Sequence, residues 1–371
     1  MGLASARIPH RIKVAADPNT WTAMAGNARW RSQPSCPVPG RPRPAEPVLV
    51  RWPLRYEHPI AAFFVAPVKA GLEAIATVSE AEIPQTHKGI VVIEVDHGDG
   101  PRRVALDYYD FVHVNAQCAG EVDTYFKFQH QRGGYPGFEN VWPGGYITDK
   151  PFLYAHWCRL RALRRRSTPT AEVFGRYGLR FAGPVRTAAI EQLRRDARFA
   201  YVGGTRRTHH TRYLREMARA RVCVDLPGQG PLCCRLVEGL AMGCMVVAAR
   251  HAAEMPVELR DGLEVVYCRE DLSDLADVCA EYVGDESRRA PVEAAAARYF
   301  DEHLHPVRMA ERYLKIVRGG AIAGRSEGLT PRPRHQHPQS GHEFALGRGG
   351  EDRQQAEVED RSERGLRRQQ H

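Results

Sequence analysis

The stretch Tyr213–Ala248, YLREMARARVCVDLPGQGPLCCRLVEGLAMGCMVVA, reads as helix, strand, glycine-bearing loop, helix and strand. Tyr213, Leu214 and Met217 recur at helical spacing, and Val222, Val224 and Leu226 alternate as a strand running into Pro227-Gly228-Gln229-Gly230. A helix is expected from about Leu232, with Arg235 and Glu238 three apart on one face near its N-terminus. Such a place suits a nucleoside diphosphate. Glycines admit the backbone to the phosphates, the helix end offers N–H groups and partial positive charge, Arg supplies a planar fork, and Glu accepts from a sugar diol. The same residues also suit an ordinary βαβ crossover with an exposed Arg/Glu pair.

The order Tyr-Leu, a strand ending in Asp-x-Pro-Gly, Gly-x-Gly, Cys-Arg-Leu-x-Glu-Gly-Leu-Ala-x-Gly-Cys and an apolar strand resembles the donor half of GT-B glycosyltransferases. It is most similar to the spore-maturation-type, glycosyl transferase family 1-like group. The resemblance implies an α/β fold of two Rossmann-like domains facing across a cleft. It makes Glu238 the ribose ligand, Arg235 a diphosphate contact, and Gly228, Gln229 and Gly230 the loop that phosphates approach. Retaining GT-B enzymes often carry two Glu separated by seven residues. Gly230 occupies the earlier of those positions here, which leaves the stereochemical course open.

Upstream, Gly89–Val95 is a mostly apolar strand of the kind buried in a parallel sheet, and it ends at Asp96-His97-Gly98-Asp99-Gly100. Polar residues at strand C-termini of such sheets often face a ligand crevice. Val104–Asp107 follows as a second strand, then Tyr108-Tyr109-Asp110-Phe111, Asp123–Gln129 and Asn140–Tyr146. An Asp-Tyr-x-Asp-Phe turn, a Tyr-Phe-Lys-x-Gln segment and a Pro-x-Gly-Tyr segment resemble the acceptor-side domain of the same group, although Tyr109 stands where Ser is more usual. In the second half, Ala171–Gly175 and Ala200–Gly204 read as strands, and Arg186 lies on a helix leading to Leu193. Arg186 is either a phosphate partner or a surface residue. Later helices are expected at 271–283, 287–300 and 306–317, the last folding back onto the first domain by the same resemblance.

A chain of 371 residues exceeds a single core, and 43% hydrophobic with 26% charged residues marks a globular protein. The expected divisions are a disordered basic extension at 1–46, an acceptor-side domain at 47–155, a nucleotide-sugar domain at 156–318 and a disordered tail at 319–371. The net charge of +9 is concentrated in the first 55 residues, and no nucleic-acid module is recognisable, so nucleic acid is not an expected partner. A second basic run, Arg159, Arg161, Arg164, Arg165 and Arg166, reads as a solvated helix face, with peripheral contact to an acidic membrane as the alternative. No apolar run is long enough to span a bilayer. Nine scattered Cys suggest neither a zinc site nor a disulfide framework, and a cytoplasmic location is expected. His335, His337 and His342 are irregularly spaced and read as tail residues.

Transfer of a glycosyl group needs stabilisation of the departing diphosphate and, for inversion, a base on the acceptor hydroxyl. No Asp-x-Asp metal motif is present, so the reaction is expected to be metal-independent, with no cofactor beyond the donor. Asp110, Asp107 and His97 are the candidate bases in that order, and each is also a plausible turn-capping residue. Tyr108, Tyr125 and Trp142 are candidates for stacking on an acceptor, though such residues more often fill cores. The acceptor is a sugar, lipid or protein. The expected function is sugar transfer from a nucleoside-diphosphate sugar. Alternatives are a catalytically silent nucleotide-sugar-binding protein, an epimerase or phosphorylase on the same fold, and a tethering protein acting through the basic N-terminal segment.

Overall fold

The computed structural model describes residues 47–148 and 151–319. The readings of 1–46, of 320–371 and of the three tail histidines lie outside the described residues. The chain forms two sheets in succession, each flanked by helices.

The first lobe comprises β1 (Leu49–Pro53), α1 (Ala61–Ile75), β2 (Thr77–Ala81), β3 (Ile90–Asp96), β4 (Pro101–Asp107), α2 (Ala116–Glu121), β5 (Thr124–Lys127) and β6 (Val141–Pro143). Its strand order is β2-β1-β3-β4-β5-β6. The β1/β2, β4/β5 and β5/β6 pairs are parallel, but β3 is antiparallel to both β1 and β4. The apolar run of β3 was expected to signal a parallel strand, and that reading is corrected. Such a run reports burial on both faces. Val91, Ile93 and Val95 join one apolar cluster while Ile90 and Val92 join another, so strand direction is not encoded.

The second lobe comprises α3 (Pro151–Arg166), β7 (Ala171–Arg176), α4 (Gly183–Arg195), β8 (Tyr201–Gly204), α5 (His210–Ala218), β9 (Ala220–Asp225), α6 (Cys234–Met242), β10 (Met245–Ala249), β11 (Val266–Cys268), α7 (Leu275–Gly284) and α8 (Glu286–Tyr299). Its sheet is wholly parallel, in the order β11-β10-β9-β7-β8. A π-helical turn, Phe300–Leu304, leads to α9 (Pro306–Val317). Two sheets dominated by parallel pairing, each with helices, constitute the two Rossmann-like halves expected from the sequence.

Helix α6 begins two residues later than its apolar pattern suggested, because Leu232 stays in the loop and Cys233 is the N-cap. All its residues from Arg235 to Met242 are buried, so it is an internal helix rather than an amphipathic surface one. It ends at Gly243 with φ of 66°, the left-handed conformation that caps helices without a Cβ penalty. A side chain there would also press on the Glu293 carbonyl and Ala297 Cβ at 3.2 Å.

The final helix returns to the first lobe, as the resemblance implied. The ring of Tyr313 on α9 stacks on Phe126 of β5 with centroids 3.9 Å apart, and its hydroxyl donates to the Gly144 carbonyl at 2.5 Å. His305 caps α9 by accepting from the Val307 N–H at 3.3 Å. The arginine run on α3 requires a correction. Arg161 donates to the carbonyls of Ala241 and Ala297 and pairs with Asp301, while Arg164 bonds the Ala220 carbonyl and Glu293. These two bind the helix to α6, β9 and α8; only Arg165 and Arg166 remain exposed. Sequence spacing alone does not distinguish guanidinium groups facing carbonyl ends from those facing water.

Candidate functional site

The C-terminal ends of β4 and β5 meet the loop between β9 and α6, and this meeting places residues of both lobes side by side. Gln129, just after β5, is fully buried. Its amide donates to the Leu232 carbonyl at 3.0 Å and its oxygen accepts from the Leu232 N–H at 3.0 Å, a two-way bond that fixes one lobe against the other. The same amide donates to Asp110 Oδ1 at 2.9 Å, and the Tyr146 hydroxyl donates to that oxygen at 3.0 Å. Asp110 is half-buried. Gly230 is required by this approach: a Cβ there would lie 2.3 Å from the Asp110 carbonyl oxygen and 2.5 Å from Gln129 Nε2. The glycine loop is therefore pressed against the first lobe, with Gly228 and the exposed Gln229 at its outer side.

Asp107 lies at the end of β4, three residues before Asp110, but in a different environment. It is 2% exposed, paired with the fully buried Lys127 at 2.9 Å and hydrogen-bonded by the Tyr125 hydroxyl at 2.5 Å. Burial pushes the Asp107 carboxyl up and the Lys127 ammonium down, each towards its neutral form, against their mutual attraction. Lys127 also donates to the Tyr109 carbonyl at 3.0 Å, so the pair secures the turn that presents Asp110. Asp107 is thus a support under the site. Tyr125 belongs to the core, whereas Tyr108 and Trp142 are half-buried.

His97 does not join this group. Because β3 runs antiparallel, its C-terminal end pairs with the beginning of β4 at Asp96 and Pro101, six residues from Asp107. At about 3.4 Å per residue that separation is about 20 Å. His97 instead lies near Arg318 and Arg102, and desolvation together with those cations lowers its pKa. The expectation that it faces the crevice assumed parallel pairing, and the strand's direction removes it.

In the second lobe, the buried Arg186 on α4 braces the loop. Its Nε donates to the Pro227 carbonyl at 2.9 Å and Nη1 to the Gly178 carbonyl at 2.6 Å, while Nη2 lies 3.9 Å from Cys233 Sγ. Nη2 would also be 3.4 Å from a Cβ at Gly228. Arg186 therefore places a positive charge beside the N-terminus of α6, where Cys233 provides no side-chain cap. Arg235, in the first turn of α6, is turned inward. It pairs with Asp225 at 2.9 Å, donates to the carbonyls of Leu226 and Arg176, and sits 4.5 Å over the Tyr177 ring. Its fork is engaged within the lobe, because helical side chains lean back towards the N-terminus and here meet the end of β9.

Glu238, one turn deeper, is 3% exposed. His210 Nε2 lies 2.8 Å from its Oε1, and the Thr148 hydroxyl from the first lobe donates to the same oxygen at 3.4 Å. No local sequence signal links His210 to a carboxylate 28 residues away. Asp225 is shared, with His251 Nε2 at 3.4 Å from Oδ2, and His251 Nδ1 lies 3.2 Å from the Tyr267 hydroxyl. Gln129, Tyr146, Thr148, His210 and His251 were not singled out as site residues, because their partners come from distant segments. Among the described residues no three His, Cys, Asp or Glu side chains are grouped to hold a metal ion, and no helix is long and apolar enough to cross a membrane.

Residues 180–314 match a family described as glycosyl transferase-like, a span that holds Arg186, the glycine loop, Arg235 and Glu238 and covers a little over a third of the chain. The matched span lies within the second lobe and its final helix, and the two-sheet α/β architecture stands beside it. Among solved structures the chain is similar to HepE of Anabaena in complex with UDP and glucose, at 13% identity over 50% of this chain and 59% of that one, with a TM-score of 0.34. It is also similar to HepE in complex with UDP, at 11% identity over 71% and 78% of the two chains with a TM-score of 0.38. A glycosyltransferase of Rickettsia africae aligns at 16% identity over 46% and 44%, with a TM-score of 0.28. The chain thus spans under two thirds of the first of these relatives. No protein of curated function matches it.

Proposed function

We propose that the protein transfers a sugar from a nucleoside-diphosphate donor to an acceptor hydroxyl, without a metal or cofactor. The observation that carries this reading is the convergence, at one lobe boundary, of the uncapped N-terminus of α6, the Gly228–Gly230 loop, the Arg186 guanidinium and the half-buried Asp110 carboxylate. Helix-end N–H groups and Arg186 supply the positive potential that a departing diphosphate needs. Asp110 is the base on the acceptor hydroxyl, oriented by Gln129 and Tyr146. Glu238 takes the ribose, with His210 and Thr148 setting its carboxylate. Arg235 acts on the diphosphate only indirectly, through the shape of the loop that Asp225 and Arg235 hold.

The match to a glycosyl transferase-like family over the second lobe supports this assignment. The test is thermal stabilisation of the full chain by UDP, GDP, ADP, dTDP and CMP, with EDTA or Mg2+. One nucleoside diphosphate should raise the melting temperature equally in both conditions, and Arg186→Ala and Glu238→Ala should each abolish that rise. Failure of every nucleotide to bind, or binding unaffected by both substitutions, would remove the assignment. Binding without release of diphosphate from the matching sugar nucleotide would leave a silent binding protein instead.

A further inference from the structure

The first lobe contains a cavity of about 300 Å³ at the C-terminal edge of β1 and β2, lined by Arg55, Tyr56, Glu57, Glu82, Pro84 and Gln85. Strand β1 is antiparallel to β3, and β3 to β4, so the ends of β1, β2 and β4 share one edge of the sheet. The cavity therefore opens on the same edge as Asp110, two to three strands away, a distance of about 10–15 Å. Between them, the Gly89 carbonyl accepts from the Tyr108 N–H at 3.0 Å and Tyr109 packs against Gly89.

The walls are fixed in advance. Gln85 exchanges two hydrogen bonds with the Val92 backbone, at 2.8 and 2.9 Å. The hydroxyl of Tyr56 accepts from Nε1 of the wholly buried Trp52 at 2.8 Å. Between these walls stand Glu57 and Glu82, both exposed, and Arg55, for none of which a hydrogen bond or ion pair is seen among the described residues. Two carboxylates that only accept and one guanidinium that only donates complement a molecule carrying both functions on adjacent carbons. Vicinal hydroxyls of a sugar ring have that property. An excess of two acids over one base disfavours a phosphate or another anion.

We infer that this cavity is a distal subsite that holds a neutral sugar ring of the acceptor through Glu57 and Glu82 while a hydroxyl further along the same acceptor reaches Asp110. The acceptor is then an oligosaccharide or a glycoside with at least two rings. This assignment rests on the transferase reading for its purpose, but its test is separable from nucleotide binding.

Saturation-transfer NMR on the full chain is to be run with methyl glucoside, methyl galactoside, methyl mannoside, cellobiose and maltose, with glucosamine and glucuronate as cationic and anionic controls. At least one neutral sugar should show ring-proton transfer, which the Glu57→Gln/Glu82→Gln variant should reduce at least fivefold. Both positions are exposed, and retention of the melting temperature by that variant shows that the fold survives. A disaccharide should transfer more strongly than its monosaccharide. Absence of transfer from every neutral sugar, transfer unchanged in the double variant, or transfer confined to glucosamine or glucuronate would overturn the subsite. Nucleoside-diphosphate stabilisation should be the same in both proteins. Its loss in wild type would strike the transferase reading, and its loss only in the variant would show that the cavity residues act on the donor side.

Discussion

Each lobe buries an aspartate at the end of a central strand against a cation, and the two pairs are built differently. In the first lobe Asp107 meets Lys127, a compact point charge, in a setting where burial pushes both groups towards neutrality. In the second, Asp225 meets Arg235, whose fork also reaches two backbone carbonyls and a tyrosine face, and a second partner, His251, takes the other carboxylate oxygen. Both aspartates stand beside the candidate site, yet neither is accessible enough to react. The comparison shows that a buried charge near a cleft serves first to hold a turn. On the proposed reading, the half-buried Asp110, with its turn held by Lys127, is the group left to act.

That contrast is broken most directly at Asp110. Asp110→Asn keeps the shape and the hydrogen bonds from Gln129 and Tyr146 in reach but removes the base. Diphosphate release from the cognate donor and acceptor should fall by roughly 10²–10⁴-fold with nucleotide binding retained. An unaltered rate would return Asp110 to a structural role and erase the difference drawn between it and Asp107.

The next effect falls on stability. Lys127→Met leaves Asp107 buried without its cation and should cost about 3–5 kcal/mol in denaturant unfolding, whereas Lys127→Met combined with Asp107→Asn should recover much of that loss. Equal destabilisation by single and double variants would show that packing, and not the uncompensated charge, dominates. In the second lobe, Arg235→Lys keeps the charge but not the fork. It should destabilise by about 1–3 kcal/mol through the carbonyls of Leu226 and Arg176 left without donors. It should also weaken nucleotide binding through the loop. A loss below about 0.5 kcal/mol would mean that the guanidinium geometry is immaterial.

The smallest effect is a pH dependence at the junction of the lobes. Burial, reinforced by Arg161, holds the His305 imidazole below its ordinary value of 6.5, against the opposing pull of Asp301. The folded state therefore favours neutral His305. Its stabilising contribution is present above about pH 6.5 and is lost as pH falls through the lowered folded value. Since the neutral ring caps α9, the loss should be about 1 kcal/mol between pH 7 and pH 5. His305→Asn keeps a capping acceptor that does not titrate and should flatten that part of the profile, measured by urea midpoints.

The second lobe was the more legible from sequence, for a physical reason. Its site elements come from one contiguous run, where Val222, Val224 and Leu226, the glycine loop and the α6 pattern follow one another, so local spacing carries topology. Its βαβ units admit little choice of strand direction. The first lobe mixes parallel and antiparallel pairs, and the apolar run of β3 is the same either way. That one direction moved His97 from the crevice to the opposite edge. The arginines of α3 misled for a related reason: a helix face that packs on carbonyl ends carries the same letters as one that faces water.

By itself the sequence determined the α/β class, the order of the main strands and helices, the glycine loop before α6 and the helix that returns to the first lobe. Those follow from periodicity, from turn chemistry, and from the resemblance that the motifs carry. Only the tertiary structure decided which charged groups are sealed and which remain within reach. It closed Asp107 on Lys127 and Arg235 on Asp225, paired His210 with Glu238, and set Gln129 across the lobes against Leu232. Each of those outcomes depends on a partner from elsewhere in the chain and on the water that packing excludes, and neither is written in local spacing.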